Sequence, residues 1–231
     1  MAPSAVADFL HANPVFAGVP VRELEALAGV AREASYRARE IVFAEGEPAH
    51  WFCLVRSGHV KIFRAGRGGR DVALELLGPG EPFGGVAVIE RRAYPASAQA
   101  TEASVVLKIP QDPIIALSER HPSIVRAMAL LIGRRLREAH AAVTSLASDP
   151  AEARLAGTLL RLAEREGVRS APGTRLPTLT RQSLADMSGT TVETAIRVVS
   201  RWLKERVVVD QEGHLVVPDL DALRRRTGDE A

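Results

Sequence analysis

Residues 178–203 read TLTRQSLADMSGTTVETAIRVVSRWL, and they indicate more about the fold than any other part of the chain. The segment predicts two short helices separated by the turn Ser188-Gly189-Thr190, since glycine can adopt the left-handed conformation that ends a helix. Thr180 is a candidate N-cap of the first helix, and Thr190 or Thr191 of the second. The apolar residues recur at helical spacing and form an inner face: Leu184, Ala185, Met187, Ala195, Val198, Val199 and Trp202 or Leu203. We therefore predict a helix-turn-helix.

The second predicted helix directs polar and basic residues away from that inner face. Thr194, Arg197 and Arg201 are offset from it, which suits insertion into the major groove of DNA. Downstream, VVVDQEGHLVVP (207–218) places two β-branched runs around a glycine-containing turn and predicts a hairpin, the wing. Helix pairs of this kind also occur as plain packing units, so a winged domain that binds protein instead of DNA is the alternative.

A long helix is predicted before this domain. Ser123–Leu146 contains no proline and one glycine, and it would run about 35 Å at 1.5 Å per residue. A heptad-like stripe runs along it, with Leu136, Val143 and Leu146 beside it: Ile124, Met128, Leu131, Arg135, Glu138, Ala142 and Ser145. We expect a second subunit's helix to cover this stripe, with dimer contacts at Ile124, Met128, Leu131 and Arg135. The alternative is a helix lying on its own barrel.

The N-terminal half has the pattern of a β-protein. A short helix is predicted over about Pro20–Ala34. Short apolar stretches then follow, divided by glycine and proline, and they predict a sandwich or barrel. The stretches are Ile41–Phe43, Trp51–Val55, Val60–Phe63, Val72–Leu77, Val86–Ile89 and Val105–Ile109, with turn residues at Gly46, Ser57-Gly58, Gly66–Gly69 and Gly78-Pro79-Gly80.

The predicted fold class is α+β with three parts. They are a β jelly-roll barrel with its N-terminal helix (1–121), a dimerisation helix (122–148) and a winged helix-turn-helix domain (149–231). Asp149-Pro150 marks the second boundary, because proline disfavours helical geometry in the preceding residue. We expect a hinge at Ser148–Ala151.

Composition excludes several classes of protein. The chain has 231 residues, a net charge of +2 and a single cysteine, Cys53, which rules out an intramolecular disulfide and a cysteine-ligated cluster. Cys53 alternates within a predicted strand, which favours a packed core residue. No apolar run approaches the roughly 18 residues of a membrane span, and no export signal is evident, so we expect a cytoplasmic protein. No hydrolase, phosphate-loop or metal-pair motif indicates an enzyme.

Motifs along nearly the whole chain resemble the Crp/Fnr family of bacterial transcription regulators. In the barrel they are Phe43-x-x-Gly46, Phe52-x-Leu54-Val55-x-Ser57-Gly58-x-Val60-x-Ile62, Gly69-Arg70 and Leu77-x-x-Gly80-x-x-Phe83-Gly84; later come Arg134-Arg135-Leu136, Thr180-Arg181-Gln182 and Val192-Glu193-Thr194-x-x-Arg197. The resemblance implies a cyclic-nucleotide-binding-like sensor barrel and a homodimer on an inverted-repeat site in double-stranded DNA. It also implies contact with RNA polymerase.

The resemblance also implies residue roles. Base contacts are expected from Glu193, Thr194, Ile196 and Arg197, and phosphate contacts from Thr180, Arg181, Gln182 and Arg201. Arg197 has the geometry to pair with guanine, and Glu193 to accept from a cytosine or adenine amine; the plainer interpretations are a solvated surface charge and an acid at a helix N-terminus. Val192 replaces an arginine of cyclic-AMP-type members. This places the chain nearer the Fnr and denitrification-regulator side, whose half-sites contain TGA.

The expected effector pocket departs from the cyclic-AMP pattern. It comprises Gly84, Gly85, Tyr94, Pro95, Ala96 and His140. Gly84-Gly85-Val86 lacks the ribose-binding glutamate, and Pro95-Ala96 lacks the phosphate-binding arginine and serine, so cyclic AMP is not expected as the effector. One cysteine does not hold an iron–sulfur cluster. Haem stays open, with an axial ligand among His11, His50, His59, His121 and His140. The effector is therefore unassigned.

Overall fold

The computed structural model of the protein describes residues 3–66 and 71–227. The Gly69-Arg70 part of the barrel motif lies outside the described residues. Packing separates two units: Met1–Arg64 with Leu74–Glu138, and Ala65–Ala73 with Ala139–Ala231. This division falls within the long helix, whereas the sequence placed its boundaries at 121/122 and 148/149.

The first unit is built around two four-stranded sheets. Helix α1 (Pro3–Ala12), a 3₁₀ turn (Pro14–Phe16) and α2 (Val21–Val30) precede them. The strands are β1 (Arg32–Tyr36), β2 (Ile41–Phe43), β3 (Trp51–Ser57), β4 (Val60–Ala65), β5 (Asp71–Leu77), β6 (Pro82–Phe83), β7 (Ser97–Ala100) and β8 (Ser104–Pro110). They form sheets of order β1-β8-β3-β6 and β2-β7-β4-β5, and the registered pairs are antiparallel. This confirms the predicted β-barrel.

Three further helices belong to this part of the chain. They are α3 (Gly85–Ile89), α4 (Gln111–Arg120) and α5 (Pro122–Ser148). The prediction of a strand at Val86–Ile89 was wrong, since these residues lie in α3, which follows Gly84 at φ 74°. A four-residue apolar run fits a helix and a strand equally well, so its period carries no information. The predicted helix over Pro20–Ala34 ends early at Val30, because Arg32–Tyr36 pairs with β8 instead.

Apolar side chains from both sheets and from α1 to α5 form one core. Phe16, Phe52, Leu54, Leu107 and Ile109 are almost completely buried in it. Cys53 is fully buried, as expected for a packed strand residue, and burial raises the pKa of its thiol to about 12. Such a thiol stays protonated and unreactive near neutral pH.

The first part of the long helix, up to Arg135, turns the predicted stripe toward its own barrel. Ile124 and Met128 are 1% and 7% exposed and belong to the core of the first unit. This burial leaves them little surface for a partner, and the dimer contact expected at Ile124 and Met128 stays a prediction. Leu131 and Arg135 are half-buried on the same face. Apolar residues of α5 outside this stripe are exposed: Val125, Leu130, Ile132, Leu136, Val143 and Leu146.

The second unit confirms the helix-turn-helix and its wing. Helix α6 (Ala151–Glu166) leads to β9 (Val168–Ser170), β10 (Gly173–Arg175), α7 (Arg181–Met187), α8 (Val192–Lys204), β11 (Val209–Gln211), β12 (His214–Val217) and α9 (Leu220–Arg224). The four strands form a sheet of order β11-β12-β10-β9, in which β11 and β12 are the predicted hairpin. The buried inner face contains Leu184, Ala185, Ala195, Val198, Val199 and Trp202, as the helical spacing predicted.

Candidate DNA-binding surface and effector cavity

Each of the two helices in the helix-turn-helix begins after a threonine that serves as its N-cap. The Thr180 side chain accepts a hydrogen bond from the Ser183 N–H at 3.0 Å, and that of Thr191 accepts from the Thr194 N–H at 3.2 Å. Gly189 adopts φ 57° in the turn between them. The caps and the left-handed glycine fix where each helix starts and ends. Thr191, not Thr190, is the cap of α8.

The outer face of α8 carries three of the four predicted base-contacting residues in exposed positions. Glu193, Ile196 and Arg197 are exposed, while Thr194 is half-buried and its hydroxyl accepts from that of Thr191 at 3.1 Å. Within the part of the chain that the structure describes, Arg197 forms no ion pair. Its guanidinium is therefore available, on the first two turns of the helix, to a ligand outside the protein.

The predicted phosphate-contacting residues differ in how much of their bonding capacity is already used. Arg181, at the start of α7, has no ion-pair partner among residues 3–66 and 71–227. The Gln182 side-chain amide donates to Asp186 Oδ1 at 2.7 Å, and the Thr180 hydroxyl serves as a cap. Arg181 is thus the best placed of this group to bind an external phosphate.

Arg201 is held by neighbouring acids instead of projecting freely. It forms an ion pair with Glu152 of α6, and Glu205 lies 3.9 Å away. The Trp202 indole N–H donates to the other oxygen of the same Glu152 carboxylate at 2.9 Å. Burial would raise the pKa of Glu152, but the bonds from Trp202 and Arg201 outweigh it and the pKa is lowered. Arg201 therefore helps to join α6 to α8.

Arg154 was missed by the sequence analysis, although it contacts the turn of the helix-turn-helix. It lies in the first turn of α6, and its guanidinium donates to the carbonyl oxygens of Ser188 and Gly189. The buried Ser188 hydroxyl in turn donates to that of Thr158 at 3.0 Å. In the sequence of an amphipathic helix, an arginine that binds backbone carbonyls looks the same as one exposed to solvent, so no pattern could have identified it.

A cavity of about 210 Å³ lies between the barrel and α5 within the first unit. Five of the six predicted effector-pocket residues line it: Gly84, Gly85, Tyr94, Pro95 and Ala96. His140, exposed on α5, is not among the lining residues. The remaining lining residues had not been predicted for this pocket, because the fold brings them together from β2, β4, β5, β6, α3 and α5: Phe43, Ile62, Glu75, Pro82, Phe83, Val86, Ala87, Met128, Leu131, Ile132 and Arg135.

Aromatic rings and one ion pair define the chemistry of this cavity. The Tyr94 ring stacks on Phe43 with centroids 3.6 Å apart, and its hydroxyl donates to the Trp51 carbonyl at 2.8 Å. Desolvation raises the pKa of Tyr94, so the phenol is neutral. Among the lining residues the charged ones are Arg135 and Glu75, whose Nε and Oε2 atoms lie 3.0 Å apart. The cavity is thus apolar with one neutralised charge pair.

The two segments that depart from the cyclic-AMP pattern present no charged or hydroxyl side chain to the cavity. A Cβ added at Gly85 would lie 2.6 Å from Met128 Cε and 2.9 Å from Phe52 Cε2. The core side chains therefore occupy the space that a longer side chain at position 85 would need. Pro95 and Ala96 present neither a cation nor a hydroxyl to a phosphate. Both observations are consistent with the expectation that cyclic AMP is not the effector.

The histidines considered as haem ligands lie elsewhere. His59 binds Glu102 at 2.5 Å and His121 binds Glu23 at 2.8 Å, while His11, His50 and His140 are exposed. None of the five, all within the described residues, lines the cavity. A histidine axial ligand for haem is therefore not supplied there. Across the described ranges, no cluster of three metal-binding side chains occurs, and no helix is long and apolar enough to cross a membrane.

Comparisons with known proteins agree with this geometry. Residues 33–121 match the cyclic nucleotide-binding domain family, and residues 153–226 match the Crp-like helix-turn-helix domain family. The chain is 32% identical to the cyclic AMP receptor protein of Thermus thermophilus over 86% of this chain and 89% of that one. It is 30% identical to the transcriptional activator protein anr of Pseudomonas aeruginosa, over 80% and 75%. FixK2 from Bradyrhizobium japonicum shares the fold, with a TM-score of 0.77, 24% identity and coverage of 87% and 100%.

Proposed function

The chain belongs to the Crp/Fnr family of transcription regulators, and on that premise we propose that its homodimer reads an inverted-repeat DNA site under the control of a signal sensed in the barrel. Regulation of transcription through a helix-turn-helix and a sensory, cyclic-nucleotide-binding-like domain follows from the family. The domains we assign are the sensor (1–121), the dimerisation helix (122–148) and the DNA-binding domain (149–231). A winged domain that binds protein instead of DNA is not favoured.

One observation supports sequence reading by α8 most strongly. Arg197 is exposed on the first two turns of a helix whose start is capped by Thr191, and it has no ion-pair partner within the described residues. An arginine in this position can donate two hydrogen bonds to guanine O6 and N7. Glu193, one turn earlier, faces the adjacent base pair, and Ile196 offers an apolar contact to a thymine methyl group. We propose a half-site that contains TGA.

Phosphate contacts set the position of the protein on DNA without reading its sequence. We assign this role first to Arg181, whose charge has no ion-pair partner in the described part of the chain, and next to Thr180 and Gln182. Arg201 comes last, because its ion pair with Glu152 already uses part of its guanidinium. These contacts would supply the salt-dependent part of the affinity.

The dimer contact that we propose uses the exposed face of α5, outside the stripe that packs on the barrel. Val125, Ile132 and Leu136 are between 43% and 53% exposed, which is costly for large apolar side chains in water. The positions Val125, Ala129, Ile132, Leu136, Ala139 and Val143 alternate steps of four and three, the spacing of a coiled-coil seam. A twin helix would cover this seam. The two copies of α8, the recognition helices of such a dimer, would contact half-sites about one turn of DNA apart, roughly 34 Å.

The proposal extends to partners and control. We propose that the DNA-bound dimer contacts RNA polymerase, that the protein acts in the cytoplasm, and that the signal is not cyclic AMP. The first test uses the purified full chain: sedimentation gives its mass, and anisotropy compares a TGA-containing inverted repeat with a scrambled duplex. We expect a dimer that prefers the repeat. A monomer, or equal affinity for both duplexes, would refute the proposal.

A further inference from the structure

The sensor cavity has a chemistry that restricts its ligand. We propose that it binds a small, uncharged and largely apolar molecule with a single hydrogen-bond acceptor, which points at Arg135. This inference rests on the proposed function, since it names the signal for the barrel. Its elements are the size of the cavity, its aromatic wall, its paired charges and one buried donor.

The size of the cavity limits the ligand to a small molecule. Its volume of about 210 Å³ lies below the roughly 300–1,000 Å³ typical of pockets for drug-sized ligands. Gly85 adds no room, because Met128 and Phe52 fill the space beside its Cα atom. A single ring with a short substituent, or a compact aliphatic chain, matches these dimensions.

The walls favour an apolar body. Phe43 stacks on Tyr94 and lies 5.7 Å, centroid to centroid, from Phe83. The Tyr94 hydroxyl donates to the Trp51 carbonyl and accepts from the Trp51 N–H at 3.2 Å, so it has no further donor for a ligand. Tyr94 therefore contributes ring surface instead of a polar contact. A flat apolar ligand gains both burial and ring contacts here.

The charges of the cavity disfavour an ionic ligand. Arg135 lies beside Glu75, and the pair is neutral overall. An anion would be attracted by Arg135 and repelled by Glu75, while still losing its hydration. Since an unpaired charge is costly to bury, a charged ligand gains little in this cavity. The same reasoning argues against a phosphate.

One donor in the cavity wall lacks a hydrogen bond. Arg135 Nη2 donates to the Pro82 carbonyl at 2.9 Å. Its Nε is buried and forms no hydrogen bond with any residue that the structure describes, although Glu75 Oε2 lies 3.0 Å away. The ion pair with Glu75 therefore leaves the hydrogen-bonding capacity of Nε unused, which is unfavourable for a buried donor. A ligand with a carbonyl, ether or hydroxyl oxygen would accept a hydrogen bond from this side of the guanidinium. It would do so either directly from Nε or after the Arg135–Glu75 ion pair shifts.

Occupancy of the cavity has a route to the dimer seam. Ile132 lines the cavity and is also 43% exposed on the helix face that we assign to the partner subunit. A ligand in contact with Ile132 would therefore favour one position of that side chain in the seam. This links the signal to the arrangement of the two α5 helices.

The test compares four probes on the full-length protein by calorimetry and thermal unfolding. Toluene supplies an apolar ring, acetophenone adds a neutral acceptor, benzoate adds a charge, and cyclic AMP represents the family ligand. We expect acetophenone to bind about fivefold more tightly than toluene, in line with one added hydrogen bond. Benzoate and cyclic AMP should bind more weakly than toluene. Tighter binding of either anion, or of toluene over acetophenone, would overturn the proposal.

Variants locate the site and assign the donor. Ala96→Leu should fill the cavity and abolish acetophenone binding, and Leu131→Trp does the same from α5 if the first variant folds poorly. The double variant Arg135→Met, Glu75→Leu should bind toluene as tightly as the wild type does. It should lose the fivefold preference for acetophenone. Arg134→Met is the matched control, because Arg134 is half-exposed beside Glu81 and Glu138 and does not line the cavity. A preference that survives the double replacement would contradict the role of Arg135.

A DNA-binding measurement on the same samples separates the two proposals. If no probe binds but the protein still prefers the inverted repeat, the ligand assignment fails and the regulator function stands. If acetophenone binds as expected while DNA preference is absent, the failure lies in the proposed function.

Discussion

The guanidinium of Arg154 donates from Nε to the carbonyl oxygen of Ser188 over 2.9 Å. From Nη2 it donates to the Gly189 carbonyl at 3.0 Å, and from Nη1 to the Asp149 carbonyl at 2.6 Å. The carbonyls at the end of a helix have no partners within that helix. Arg154 satisfies those that follow α7 and, through Asp149, the one that follows α5. It therefore ties the predicted hinge region to the turn that precedes the recognition helix.

We expect Arg154→Ala to lower the free energy of unfolding by about 1–3 kcal/mol, because three carbonyl groups lose a charged donor. DNA affinity should fall as well, since α8 is less firmly positioned. Thermal unfolding and anisotropy measure the two effects. Arg169→Ala, at an exposed position of β9, is the control and should change neither stability nor fold. Unchanged stability in Arg154→Ala would show that the contact has no structural role.

Leu136 and Met128 lie on different faces of α5, so charges at these two positions should have different effects. Leu136→Glu should give a folded monomer, because the substitution places a charge in the proposed seam. Met128→Glu should instead destabilise the barrel by about 3–5 kcal/mol, as expected for an uncompensated buried charge. Sedimentation and thermal unfolding separate these outcomes.

The control for this comparison is Arg126→Glu, an exposed position one residue from the seam, which should remain dimeric. A Leu136→Glu variant that sediments as a dimer would exclude the seam proposed for α5.

Arg197 and Arg181 should differ in the kind of DNA binding that they support. Arg197→Ala should weaken the free energy of specific DNA binding by about 1–3 kcal/mol per half-site and relax the sequence preference at one base pair. Arg181→Ala should weaken binding to every sequence alike. It should also reduce the slope of log affinity against log salt concentration by about one. Anisotropy titrations at several salt concentrations, on the specific and the scrambled duplex, measure both. A uniform loss in Arg197→Ala would mean that α8 does not read bases.

Cys53 provides a pH-dependent test of the barrel core. Burial raises the pKa of its thiol from 9.0 to about 12, so the folded state holds the proton more tightly than the unfolded state. The associated stability is fully present below pH 9 and is lost as the pH rises toward 12. At pH 8, a thiol reagent should label Cys53 in unfolded protein and leave the native protein unlabelled. Rapid native labelling would show that the strand is open.

Local patterns predicted the helix-turn-helix, its wing and most strands, because each depends on spacing within a few residues. Strand β7 was missed because its residues, SAQA, lack the β-branched and aromatic side chains that mark a strand. The cavity was predicted where it follows motif segments, at Gly84-Gly85 and Tyr94–Ala96. Arg135 and Glu75 were not predicted there, because only the folded barrel brings β5 and α5 together. Which face of α5 packs on the barrel could not be predicted either, because both faces carry apolar residues.

Selection of bound sequences from a random DNA pool, with wild-type protein and Arg197→Ala in parallel, tests the central claim most directly. We predict that the wild type enriches an inverted repeat with TGA-containing half-sites about one helical turn apart. Arg197→Ala should enrich the same repeat with one guanine position relaxed in each half-site. Enrichment of no repeated motif by the wild type, or an identical motif from both proteins, would contradict the account.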